Sequence, residues 1–199
     1  MAPLDMMPTP TLEGTHVRLE PLSLAHLPAL EAIAFDPSIW RYMLAPIHTP
    51  DDLLTWATSA LSAPNTLTWV TIKKSSNELV GSTRFLDLDL HHRTTELGHT
   101  WLAAPARGTL INTEAKLLQL TYAFETLNLN RVALKTHHEN LQSQNAMKSI
   151  GAIYEGTFRR HYLMPDGTHR DSVWFSIIRE DWPTVKAHLT QRLNTRSKL

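Results

Sequence analysis

Cysteine is absent from the 199 residues, which removes disulfides, thiolate metal sites and a cysteine nucleophile together. Net charge is absent too: nineteen Lys and Arg face nineteen Asp and Glu. Nothing therefore draws the chain as a whole toward nucleic acid or an anionic membrane. No stretch approaches the about 20 apolar residues that cross a bilayer. The first eleven residues hold three prolines and no apolar core like that of a signal peptide. The chain reads as soluble and cytoplasmic. Its eleven histidines show no H-E-x-x-H or comparable spacing, so no metal site is expected. A G-x-G-x-x-G or Walker glycine–lysine pattern is also missing, which argues against a nucleotide-binding α/β protein.

What is present suits one domain. Apolar residues make up 42% of the chain, enough to bury a sizeable core. His16 to Leu22 alternates as a strand, and Ser23 caps a helix that runs to about Phe35 and ends at Asp36-Pro37. A second helix runs from Pro50 to Leu61. Thr68 to Lys73 and Leu79 to Leu90 read as strands joined by the turn Lys74–Asn77; Leu86, Leu88 and Leu90 against Asp87 and Asp89 mark a half-solvated face. Thr157 to Met164 and His169 to Ile178 flank the hairpin turn Pro165-Asp166-Gly167-Thr168. Pro183 opens a last helix with Val185, Leu189 and Leu193 on one side. The expected organisation is a flexible segment 1–11, one domain over 12–193 and a tail over 194–199.

The most informative stretch is RGTLINTEAKLLQLTYAFE, residues 107–125, which follows the strand-like run Thr95 to Pro105. Leu117, Leu120, Phe124 and Leu127 recur at helical spacing, and Asn112 and Thr113 are good N-cap types. A small-residue loop feeding a helix start leaves several backbone N–H groups pointing one way, an arrangement that binds phosphate. The alternative is an ordinary strand-to-helix crossover in which Gly108 serves only the turn. A short strand (Arg131 to Thr136), a turn, a short helix, Gly151 and a further strand follow.

Three segments taken together, RGTLINTEAK, Asn140-Leu141-Gln142-Ser143 and Ala146–Ala152, resemble the GNAT superfamily of acyl-CoA-dependent N-acetyltransferases, and within it the RimJ/RimL-like branch. The resemblance covers residues 12 to 180. It implies an α/β fold with a mixed, mostly antiparallel sheet of six or seven strands and helices on both faces. It implies acetyl-CoA as cosubstrate and a primary amine as acceptor, on a small molecule or a protein N-terminus, and it leaves room for a homodimer.

On that resemblance Arg107, Gly108, Thr109, Leu110, Ile111 and Asn112 would cradle the pyrophosphate through their amides. Leu110 stands where the family has a second small residue, and its side chain is expected to turn into the helix–sheet interface. Trp101, Leu102 and Ala103, at a splayed strand end, would pair with the pantetheine arm. Asn140 would bond that arm, and Ser143 would donate to the departing thiolate; capping the helix at 141–149 suits both equally. Met147 occupies the position of the usual tyrosine acid and has no proton to give. Glu96 would take the amine's proton, or is an exposed strand carboxylate. His99, three residues on, should face the other side of the strand. Arg159 or Arg160 would recognise an acidic acceptor, although a cross-strand Arg–Asp pair accounts for the same residues. Leu110 and Met147 also admit a non-catalytic relative that binds acyl-CoA or a partner.

Overall fold

A computed structural model of the chain describes residues 8–196. Residues 1–7 and 197–199, parts of the expected N-terminal segment and tail, lie outside the described residues. Two short strands come first, β1 (Leu12–Glu13) and β2 (Val17–Pro21), then helices α1 (Leu27–Ala34), α2 (Pro37–Trp40) and α3 (Pro50–Ser62). Strands β3 (Leu67–Lys73), β4 (Glu78–Asp89) and β5 (Thr94–Leu102) lead into α4 (Leu110–Thr121). After β6 (Arg131–His137) come α5 (Leu141–Ser149), the hairpin β7 (Ile153–Leu163) and β8 (His169–Ile178), and α6 (Trp182–Arg196).

The described strands form one eight-stranded sheet in the order β1-β2-β3-β4-β5-β6-β8-β7. Every pairing is antiparallel except β5 with β6. The extra strand beyond the expected six or seven is the two-residue β1, too short to show a periodicity.

Each sheet face carries its own core. Leu19, Trp69, Phe85, Leu97, Val132 and Phe175 pack against Ile111, Ala115, Leu120 and Phe124 of α4 and its C-terminal turn, and against Val185 and Leu189 of α6. On the other face Val70, Ile72 and Trp101 meet Leu30, Trp40, Leu53 and Trp56 of α1 to α3. Burial on both faces explains why β3 reads as a near-continuous apolar run.

Several boundaries depart from the sequence reading. Asp36-Pro37 does not only end a helix. The Asp36 carboxylate accepts from Ser38 N–H at 2.9 Å and starts the one-turn helix α2. The last helix runs to Arg196 rather than ending near residue 193. Upstream, the Trp69 indole donates to the Pro10 carbonyl at 2.7 Å, so ordered contact begins before residue 12.

The alternation of Leu86, Leu88 and Leu90 is broken by a bulge. Asp87 has φ +50°, and the register with β5 slips between Leu86 and Asp89. Leu88 consequently joins the α4-side core with Phe85, while Leu86 stays on the opposite face beside Glu96.

Candidate active site

β5 and β6 run parallel and pair at only three registers, Thr94 with Arg131, Thr95 with Val132 and Glu96 with Ala133. Beyond these, β5 stays paired to β4 and β6 to β8, so the two strands part and a wedge opens between them. The splay expected near Trp101 to Ala103 therefore begins just past Glu96.

At the far end of β5 the chain turns through Ala104–Ala106 and reaches Gly108 at φ +70°, a left-handed value that glycine adopts without strain. Thr109, not Asn112 or Thr113, caps α4. Its hydroxyl accepts from Ile111 N–H at 3.3 Å and donates to the Ala106 carbonyl at 2.7 Å. Asn112 and Thr113 fall inside the first turn, because the cap lies where the backbone leaves its extended conformation. The α4 start is clamped from behind: the buried Glu114 carboxylate accepts from the backbone N–H groups of Thr15, His16 and Val17 at 2.9, 2.6 and 2.6 Å.

The side chains of this loop serve the fold. Arg107 donates through Nε to the Leu102 carbonyl at 2.8 Å and through Nη1 to Ser38 Oγ at 2.9 Å, with Asp36 3.5 Å from Nη2. Ile111, not Leu110, fills the helix–sheet interface. Leu110 is half-buried and lines a recess of about 570 Å³ with Thr109, Ile111 and Lys73, Lys74 and Glu78 of the β3–β4 hairpin. It thus lines the recess and is not part of the α4-side core.

Trp101 is buried against Trp40 and Trp56, with ring centroids 5.4 and 5.9 Å away. Leu102 belongs to the α4-side core, and Ala103 N–H donates to the Val80 carbonyl at 2.8 Å. Leu102 and Ala103 thus serve the fold, while the Trp101 indole Nε1 is buried without a hydrogen-bond partner. Beyond the wedge, Asn140 caps α5, its Oδ1 accepting from Ser143 N–H at 3.0 Å. Ser143 is half-buried in the first turn, and Met147 packs on the α4-side core.

Glu96 is buried, and its carboxylate meets the ammonium of Lys135 on β6 in an ion pair. Burial pushes the Glu96 carboxyl above its ordinary range, against the opposing pull of Lys135. Gly98 makes room for it: a Cβ there would lie 2.9 Å from Glu96 Oε1 and 3.1 Å from Leu86 Cδ1. The reading of Glu96 as an exposed carboxylate is overturned.

So is the placement of His99. It has φ +45° at a second bulge, where Ser82 pairs with Trp101 but Arg84 with Gly98. The extra residue breaks the two-residue repeat, and His99 feels the same Lys135 and Arg170 that act on Glu96, with Arg84 in addition. His99 is exposed to solvent yet flanked by protein mass. That surrounding and the three cations hold its pKa down, to about 4.

The family model of the acetyltransferase (GNAT) domain matches residues 16–153. The chain belongs to the GNAT acetyltransferase family. It is 36% identical over 108 residues to YdaF of Bacillus subtilis (strain 168), whose name assigns it provisionally to ribosomal N-acetylation. That match spans 54% of this chain and 58% of YdaF, so it reaches little more than half the length of that relative. A solved structure from T. thermophilus, provisionally assigned as an acetyltransferase, is 38% identical with a TM-score of 0.87, covering 94% of this chain and 100% of that one. Mycobacterium smegmatis RimJ, solved with CoA-disulfide, shares the fold at a TM-score of 0.79 and 21% identity, covering 92% and 95% of the two chains.

The sequence reading singled out none of three cations of this GNAT chain for a role in binding. Arg84 on β4 is 6% exposed, and its guanidinium lies 4.7 Å from the Trp56 ring. Lys135 lies 4.8 Å from the Trp174 ring. Arg170 donates to Ser172 Oγ at 3.1 Å and to the Tyr42 carbonyl at 3.3 Å, with burial lowering its pKa. Each shares its strand with other charged residues, so no local pattern in the sequence singles it out. Arg159 and Arg160 lie instead on the exposed edge strand β7, and Asp171 accepts from the backbone N–H of Arg160 at 2.7 Å rather than from either guanidinium.

Proposed function

We propose that the chain moves an acetyl group from acetyl-CoA directly to a primary amine of a small molecule or a protein N-terminus. The observation that carries this reading is the wedge that opens immediately past Glu96. It has the α4 loop at one end, a buried carboxylate at its root and the first turn of α5 across from it. The turn from Arg107 to Asn112 sits at the positive end of the helix dipole and fits a pyrophosphate, with the Arg107 and Ile111 N–H groups donating at rest to the Ala104 carbonyl and Thr109 Oγ1. The unpaired edge past Glu96 fits an extended amide-bearing arm such as pantetheine. Bound acetyl-CoA supplies an activated thioester carbonyl.

The roles then follow from position. Glu96, made more basic by burial, takes the proton of the attacking amine as the new N–C bond forms. The C–S bond breaks, and Ser143 relays a proton to the departing sulfur, its hydroxyl regaining one from water, while the proton taken by Glu96 passes to solvent. The backbone edge and the loop hold the two reactants in register, which itself supplies much of the rate.

One observation favours the second reading, an acyl-CoA-binding relative without turnover: Lys135 already occupies the Glu96 carboxylate. Two measurements separate the readings. Calorimetric titration with acetyl-CoA, CoA and ATP should show saturable binding of the first two only. A thiol-release assay with a panel of free-amine peptides should then show turnover; binding without turnover on any acceptor selects the non-catalytic reading.

A further inference from the structure

Among the described residues, four buried donor atoms gathered around Arg84 have no hydrogen-bond partner: Nε and Nη2 of Arg84, and the indole Nε1 of Trp56 and of Trp101. They lie together, since Arg84 stacks 4.7 Å from the Trp56 ring and the Trp56 and Trp101 rings are 5.9 Å apart. Buried donors are ordinarily satisfied, and leaving a guanidinium without a carboxylate is costly. Neither guanidinium nor indole can accept a hydrogen bond, so a group that completes this set must be an acceptor, and beside a cation an anion.

The location ties the set to the acceptor amine. Arg84 pairs in register with Gly98, the residue over which the Glu96 carboxylate lies. Exposed His99 follows Gly98 in β5, and the charge of Arg84 acts on its ring. Lys135 and Arg170 add to the positive charge of Arg84, so that three cations face two carboxylates, Glu96, which is paired with Lys135, and Asp87. Such a field disfavours a polycationic acceptor and draws an anionic one.

We infer that the acceptor carries a carboxylate close to its reactive amine, and that Arg84, with the Trp56 and Trp101 indoles, binds that carboxylate. This rests on the N-acetyltransferase reading above and narrows its substrate class. The same chemistry has two sources, the α-carboxylate of a free amino acid or an acidic side chain next to a protein N-terminus.

The test compares matched acceptors with the protein and acetyl-CoA: alanine against alaninamide for the first source, and C-terminally amidated Ser-Asp-Glu-Ala against Ser-Asn-Gln-Ala for the second, with spermidine as a cationic control. In one of the two pairs the acidic member should be preferred in kcat/KM by roughly tenfold or more, the range of a charge-assisted hydrogen bond. Arg84→Met should bring that ratio to about one, and Arg84→Lys, which keeps charge but loses the planar fork, should fall between. Equal use of both members in both pairs, preference for spermidine, or a preference unchanged in Arg84→Met overturns the inference. Calorimetric binding of the same acceptors to the CoA complex separates it from the enzymatic reading. Absent turnover with tighter, Arg84-dependent binding of the acidic member refutes only the enzyme. Equal binding refutes the anion site. Circular dichroism on both variants identifies any loss of fold, and Arg84→Lys then carries the comparison.

Discussion

Two cations are buried on opposite faces of the same strand pair. On the α4 face, Lys116 is 5% exposed and its ammonium donates to Thr100 Oγ1 at 2.8 Å, Thr83 Oγ1 at 3.2 Å and Gln119 Oε1 at 3.3 Å. On the acceptor face, Arg84, the residue after Thr83, keeps two donors without a partner. Lys116 sits among neutral oxygens in a closed core, and burial holds its pKa down at about 7. The difference teaches that burial alone does not mark a site. A buried charge that is already coordinated shapes stability, whereas one with donors to spare, beside exposed His99 and buried Glu96, is arranged for something that arrives. Substitutions on the two faces should therefore separate, with stability responding on one and chemistry on the other.

The largest expected effect lies on the acceptor face. Glu96→Gln should lower kcat/KM by ~10²–10⁴-fold, the usual range for losing a general base. Because burial raises the Glu96 pKa, wild-type turnover should fall as pH drops through that raised value, and this acid limb should vanish in the variant. A pH–rate profile with the limb intact in Glu96→Gln would assign the proton transfer to another group.

On the other face Lys116→Met should leave the pH profile of turnover in place and raise stability, by on the order of 1–4 kcal/mol at pH 6. The sign follows from the depressed pKa: the unfolded chain holds a proton that the folded one resists. The penalty is full below about pH 7 and is relieved as pH rises toward the ordinary lysine value of 10.5. The Tm gap between variant and wild type, measured by calorimetry, should narrow between pH 7 and 10. A constant gap would mean that Lys116 is not the titrating group.

Much of this division was illegible in the sequence. The order of elements could be read because apolar periodicity survives in β2, β8 and α6 and β3 is a near-continuous apolar run, and the loop–helix junction because small residues precede an amphipathic run. The facing of Leu88 and His99 could not, since each depends on a bulge at which a non-glycine residue takes positive φ, and the alternation rule inverts there. Asp and His tolerate that conformation better than most residues but do not announce it. Glu96 was found through the resemblance. Its partner Lys135 is 39 residues away across a parallel pairing, and Arg170 is further still, so no local pattern joins them. Arg107 was expected to offer its amide to phosphate; that N–H donates to the Ala104 carbonyl at 3.2 Å, and the guanidinium ties the loop to Leu102 and Ser38.

Two smaller effects sharpen the contrast at the cofactor end. Ser143→Ala should lower kcat by about tenfold while leaving acetyl-CoA affinity nearly unchanged, because a leaving-group donor acts mainly in the transition state. Unchanged turnover would return Ser143 to the first turn of α5 and nothing more. Leu110→Gly should improve acetyl-CoA affinity only a few-fold and cost about 1 kcal/mol of stability, since the leucine is half-buried and glycine adds unfolded-state entropy. No gain in affinity by calorimetry would mean that Leu110 does not limit phosphate access.

The most direct test of the wedge as the acetyl-CoA site is a crystal structure with acetyl-CoA or CoA bound. The predicted result has the pyrophosphate oxygens within hydrogen-bonding distance of backbone N–H groups between Arg107 and Asn112, and the pantetheine arm running between β5 and β6 with its sulfur toward Glu96 and Ser143. Phosphates bound elsewhere, with the β5–β6 wedge empty, would contradict it.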